Sequence, residues 1–89
     1  MNKKEEVNNM TKFETREAVN SIVNGYCEEY ESLCNKDKEY SSIFYMKFVD
    51  KIIGIFDLLT HDSSFTCGEH ESFLKECISK IHVIYHNYN

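Results

Sequence analysis

The sequence contains no proline and only three glycines, Gly25, Gly54 and Gly68. Proline and glycine usually form the hairpins and tight turns that connect β-strands, so an all-β fold would lack most of its turn residues here. Proline also breaks helices, and its absence allows long helices to continue. The sequence therefore predicts an all-α fold.

Residues 12–35 carry the clearest helical pattern. Their apolar positions recur at intervals of three and one, which places them along one face of an α-helix. These positions are Val19, Ile22, Val23, Tyr26, Cys27, Tyr30, Leu33 and Cys34. Thr11 followed by Glu14 matches a capping box, in which each side chain accepts a hydrogen bond from the other residue's backbone N–H. The polar residues Asn35 to Lys38 predict the end of this helix.

The second segment, about residues 39–60, is apolar on nearly every side. Its polar positions step by three and four and form one narrow stripe along a helix. They are Lys47, Asp50, Lys51, Gly54, Asp57 and His61. Two neighbouring helices cannot easily cover so wide an apolar surface, and such a helix is usually central in a larger core or buried in an interface. We therefore expect a homo-oligomer formed through residues 43–59.

A polar break from His61 to Ser64 separates the second segment from a third, about residues 66–87. Thr66 with Glu69 repeats the capping box, and the apolar positions again keep helical spacing. These are Phe73, Leu74, Cys77, Ile78, Ile81, Ile84, Tyr85 and Tyr88. The short connections predict an antiparallel bundle of three helices, about 12–35, 39–60 and 66–87.

The size of the chain supports one domain completed by oligomerisation. A chain of 89 residues has room for one core, and it buries only roughly 60 to 65% of its unfolded surface. We expect residues 1–10 to form a flexible N-terminal arm and residues 11–89 to form a single helical domain.

The charge balance argues against direct binding of nucleic acid. The chain has 15 acidic and 10 basic residues, for a net charge of -5, and Arg16 is its one arginine. Binding to phosphates depends on clustered lysine and arginine, and base recognition often uses the guanidinium fork. We therefore expect a protein partner rather than nucleic acid.

The N-terminal residues and the cysteines indicate a cytoplasmic protein. MNKKEEVNNM has no apolar stretch of the kind found in secretory signals, and no apolar run approaches the ~18 residues of a membrane helix. Cys27 and Cys34 are about 10.5 Å apart along one helix, beyond the reach of a disulfide. All four cysteines are interpreted as small buried hydrophobic residues in a reducing compartment.

Cysteine and histidine residues in the third segment could by type ligate zinc. Cys77 and His82 point about 140° apart on one helix, however, so they cannot share an ion. We therefore expect no cofactor and no native metal site, and the weaker metal-ligand candidates are Cys67, His70, His82 and His86. His82 and His86 could also capture a metal ion between two subunits.

Catalysis has little support in the sequence. Cys67 lies at a helix N-terminus, which favours a thiolate, and a meeting with His61 as its base stays open, but an ordinary cysteine in a first turn is the favoured interpretation. None of the glycines belongs to a phosphate-binding loop. Glu76 and Lys80, four residues apart, are typical of a solvated ion pair on a helix surface. We therefore expect a protein without catalytic residues.

Two groups of residues are candidates for contact with a partner protein. Glu28 and Glu31 belong to an acidic face of the first helix, together with Glu14, Glu17 and Glu29. Tyr40 and Tyr45 combine large area with a polar tip, as tyrosines at interfaces do. The hypothesis that follows is a small non-catalytic interaction or regulatory module. One alternative is an inhibitor of a nucleic-acid-processing or defence complex, of the phage accessory type, and another is a thiol or metal-dependent enzyme.

Overall fold

A computed structural model describes residues 11–59 and 65–89, which form three α-helices. Helix α1 is Lys12–Lys36, helix α2 is Tyr40–Leu59 and helix α3 is Cys67–Asn87. No strand occurs in these described ranges. The all-α prediction and the three predicted helices are confirmed. The predicted arm at residues 1–10 and the polar break at residues 61–64 lie outside the described residues.

Both predicted capping boxes are formed. At the start of α1, the Thr11 Oγ1 accepts from the Glu14 backbone N–H at 3.1 Å, and Glu14 Oε1 accepts from the Thr11 N–H at 3.0 Å. Thr66 and Glu69 repeat this arrangement at the start of α3, with both distances 3.1 Å. These bonds satisfy backbone donors that have no partner within the helix.

The three helices bury one common core. Each helix contributes the face that its apolar spacing predicts, and burying one large apolar side chain stabilises the fold by about 1.5 to 3 kcal/mol. The core residues are Val19, Val23, Tyr30 and Cys34 of α1, Phe48, Val49, Ile52 and Phe56 of α2, and Phe73, Cys77 and Ile81 of α3. Ile22 is the exception among the larger aliphatic residues of α1, because it is exposed.

Aromatic contacts show that consecutive helices run antiparallel. Tyr30, near the end of α1, lies 5.2 Å from Phe48 of α2 between ring centroids. Phe56, near the end of α2, meets Phe73 near the start of α3 edge to face at 5.1 Å. The antiparallel bundle predicted from the short connections is therefore confirmed.

Ion pairs join α1 directly to α3. Lys12 Nζ donates to Glu69 Oε2 at 2.6 Å, and Arg16 lies 3.3 Å from Glu76 with its guanidinium 4.2 Å from the Phe73 ring centroid. The predicted pairing of Glu76 with Lys80 is therefore wrong. Lys80 instead donates to Asn20 Oδ1 of α1 at 3.4 Å, because long side chains on the rim of a helix can reach a neighbouring helix as well as the next turn.

A polar network holds the other end of the bundle together around Ser41, which is fully buried. Its Oγ donates to the Lys38 carbonyl at 2.7 Å and accepts from Asn89 Nδ2 at 2.7 Å. Its backbone carbonyl accepts from the Tyr30 hydroxyl. We call Tyr30, Ser41 and Asn89 the Ser41 clamp, since they tie α1, the start of α2 and the end of the chain to one another.

Candidate functional site

Helix α2 carries four large apolar side chains that are exposed and spread around its outer side. Ile43 is 62% exposed, Met46 57%, Ile53 36% and Leu58 76%. We call these four residues, with the exposed Lys47, Asp50, Gly54 and Asp57 between them, the outer face of α2. The prediction that two neighbouring helices leave part of this helix uncovered is confirmed, whereas oligomerisation through it stays a prediction.

Four members of the polar stripe predicted on α2 lie on this outer face, Lys51 does not, and His61 lies outside the described residues. Lys51 is partly buried and turns toward α1, where its Nζ lies 3.5 Å from Glu29 Oε1 and 5.1 Å from the Tyr26 ring centroid. Gly54 is exposed, and a Cβ added there would meet no atom within 4 Å. The centre of the outer face is therefore open enough for another backbone to approach closely.

All five glutamates predicted on the acidic face of α1 are exposed, and two of them also have local partners. Glu28 and Glu31 are exposed, as is Glu17. Glu29 is paired with Lys51 at 3.5 Å, and Glu14 belongs to the first capping box. The Thr11 backbone N–H lowers the pKa of Glu14, which caps the helix while its carboxylate stays exposed.

Tyr40 and Tyr45 are both half-buried. The Tyr40 ring lies edge-on to Phe44, 5.4 Å away between centroids. Tyr45 packs against α3, with its ring 4.7 Å from Tyr85 and its hydroxyl 3.2 Å from His82 Nδ1. Tyr45 therefore contributes to the packing of α2 on α3, and partner binding by either tyrosine stays a prediction.

His82 and His86 are exposed side by side on α3, with ring centroids 4.6 Å apart. Cys77 is fully buried on another side of the helix, and burial raises the pKa of its thiol to about 11. A protonated core thiol does not ligate metal. In the part of the chain that the structure describes, no cluster of three or more histidine, cysteine or acidic residues could hold an ion.

Cys67 and His70 lie next to a cavity of about 340 Å³ where α2 ends and α3 begins, lined also by Leu59, Phe65 and Leu74. The expectation that all four cysteines are buried is wrong for Cys67, which is exposed, and Cys27 is only half-buried. His70 Nε2 is 2.9 Å from the Phe56 carbonyl, to which it can only donate. This contact satisfies a carbonyl near the end of α2 and orients the ring for a structural role.

The chain matches no known family model, curated protein or solved structure. None of the three helices, over the residues described, combines the length and apolar character needed to cross a bilayer. The fold and its surface define a three-helix bundle with one uncovered apolar helix face, and functional inference starts from that face.

Proposed function

We propose that this protein is a small non-catalytic interaction module that works as a homodimer joined through the outer face of α2. The observation that carries the proposal is the exposure of Ile43, Met46, Ile53 and Leu58 on one helix. Four large apolar side chains on one surface are a recognised mark of an interface. Burying one such side chain completely is worth about 1.5 to 3 kcal/mol, so partial burial of several favours association.

A second copy suits this face because several of its residues complement others on the same face. A two-fold axis requires each residue pair to occur twice. In an antiparallel pairing of α2 helices centred at position 52, residues equally distant from that position lie at the same level along the two helices. Met46 then shares a level with an apolar residue, Lys47 with an acidic one, and Asp50 with the open glycine, while Ile53 shares a level with Lys51, which turns toward α1. The pairs are Met46 with Leu58, Lys47 with Asp57, and Asp50 with Gly54.

The test compares two exposed apolar residues that are matched in accessibility. Met46 on α2 and Val83 on α3 are both 57% exposed. Sedimentation equilibrium at tens of micromolar should give a dimer for the wild type and for Val83→Lys, and a monomer for Met46→Lys. A wild-type mass of 10.5 kDa under these conditions would overturn the dimer.

A charge exchange tests the proposed register. Lys47→Asp alone should weaken the dimer because it places two carboxylates opposite each other at each end of the contact. Adding Asp57→Lys in the same chain should restore the dimer, since both pairs again have opposite signs. A double variant that stays as weak as Lys47→Asp would reject this register while leaving the outer face as the site of contact.

The dimer leaves the acidic surface of α1 available to bind a further protein. We place this binding in the cytoplasm, because the four cysteines are unpaired. Glu28 and Glu31 are exposed, and acidic groups of this kind steer association with basic surfaces. Charge reversal of both should slow binding of a basic partner and change its salt dependence, whereas Glu71→Lys on α3 should not. The inhibitor and enzyme hypotheses stay untested predictions.

A further inference from the structure

His82 and His86 lie one helical turn apart on α3, within the regular helix Cys67–Asn87. Residues four apart on a helix have Cβ atoms about 5 to 6 Å from each other. Here both rings point outward from the same side, with centroids 4.6 Å apart and planes at 89°. Imidazole nitrogens bind transition metals at about 2.0 to 2.1 Å, so rotation of the two side chains is enough to bring one nitrogen of each ring to a common ion.

Tyr45 supports one of these two rings from α2. Its hydroxyl lies 3.2 Å from His82 Nδ1, and its own ring is held 4.7 Å from Tyr85. A histidine that ligates metal usually donates its other ring N–H to an oxygen, which fixes both tautomer and orientation. When the Tyr45 oxygen accepts from Nδ1–H of His82, the Nε2 lone pair of His82 is left for an ion.

We propose that His82 and His86 chelate a single divalent transition-metal ion of the Ni²⁺, Cu²⁺ and Zn²⁺ class, and that Tyr45 is a positioning residue for His82. Imidazole is a favoured ligand for these three ions. Two protein ligands leave the remaining coordination positions to water, so the site differs from a closed structural zinc site. The core is complete without the ion, because Cys77 packs among apolar residues and is not a ligand.

The binding test is calorimetric titration of the chain with NiCl₂ in a buffer free of chelators. One ion per chain is expected. His82→Ala and His86→Ala should each weaken binding by at least about a hundredfold, because the second imidazole of a chelate binds intramolecularly. Tyr45→Phe should weaken it by about tenfold, the loss typical of removing a group that orients a ligand. Cys67→Ser is the matched control, since Cys67 is the exposed thiol, and it should bind as the wild type does.

Two further measurements separate chelation from a change in folding. Alanine is a good helix former, so both alanine variants should keep the wild-type melting curve without metal. With substoichiometric Cu²⁺, the ring resonances of His82 and His86 should broaden before that of His70. Retention of full Ni²⁺ affinity in His86→Ala, loss of binding in Cys67→Ser, or earliest broadening at His70 would each overturn the site. Repeating the titration on the Met46→Lys variant, which should be a monomer, tests whether metal binding is independent of the proposed dimer.

Discussion

The two faces of α2 are built from the same kinds of residue and differ in what covers them. Ile52 is fully buried, while its neighbour Ile53 is 36% exposed; Phe56 is 1% exposed, while Leu58 is 76% exposed. Hydrophobicity alone therefore does not tell which residues of a widely apolar helix belong to the core. The inner face stabilises the monomer, and the outer face stays exposed to solvent.

The largest expected effect is on the inner face. Phe56→Ala should lower the free energy of unfolding by about 3 to 5 kcal/mol, because it removes a buried ring that packs on Phe73. Total stability of a domain is about 5 to 15 kcal/mol, so this variant should be largely unfolded at moderate denaturant. Urea titration followed by circular dichroism measures the change. Leu58→Ala on the outer face is the control, compared in the Met46→Lys monomer, and equal losses at both positions would remove the distinction between the faces.

The next effect tests the buried polar group at the start of α2. Ser41→Ala removes an acceptor for Asn89 and a donor to the Lys38 carbonyl, and should cost about 1 to 3 kcal/mol. Ser42→Ala is matched in type and neighbouring in sequence. Ser42 also donates to Asn89, at 3.3 Å, but this bond is exposed, so its loss should stay within about 0.5 kcal/mol. Thermal melts of the two variants give the difference, and a larger loss at Ser42 would contradict the Ser41 clamp.

A smaller effect is expected at Gly54, where one substitution should stabilise the folded monomer but weaken the dimer. Gly54→Ala should stabilise the monomer by about 0.5 to 1 kcal/mol, since alanine is the better helix former and its Cβ meets no atom within 4 Å. The same methyl group should weaken the dimer by blocking close approach at the centre of the outer face. Gly25→Ala on α1 is equally unhindered and should stabilise the chain without altering sedimentation. An unchanged dimer in Gly54→Ala would show that the second copy does not approach there.

The smallest effect lies away from both faces, at the start of α3. Hydrogen bonds from Lys12 and from the Thr66 backbone lower the pKa of Glu69 below its ordinary value of 4.5. A carboxyl whose pKa is lower in the folded state adds stability above its unfolded pKa, and loses it as pH falls through the folded pKa. Melting temperatures of Glu69→Gln should therefore fall less steeply than those of the wild type below pH 4.5. Glu71→Gln, whose carboxylate pairs with the exposed Lys75 in the next turn, should follow the wild type.

The helices and their caps were predictable because they depend on local pattern. Capping boxes need only residues three apart, and the helical period places apolar residues on one face without knowledge of the partner. The same angular argument separated Cys77 from His82, and the structure agrees. The same angular argument places His82 and His86 next to each other on one side of α3.

The contacts between helices were not predictable from the same pattern. Lys51 and Glu76 have long side chains that reach α1, and a period along one helix cannot say which neighbour lies within reach. Ser41 is a polar residue in a polar stretch, and its burial depends on Tyr30 and on Asn89, 48 positions away. The contact between Tyr45 and His82 could not be predicted for the same reason, because it depends on the register of α2 against α3.

The Ser41 clamp has a consequence for the order of folding. Tyr30 and Ser41 are 11 positions apart, so the bond between α1 and α2 closes a short loop, whereas Asn89 arrives from the far end of the chain. Short loops close at lower entropic cost. During synthesis, the hairpin of α1 and α2 can therefore form on the ribosome before α3 has emerged. Until α3 packs, the part of α2 that it covers, such as Phe56 beneath Phe73, stays open to solvent although α1 is already in place.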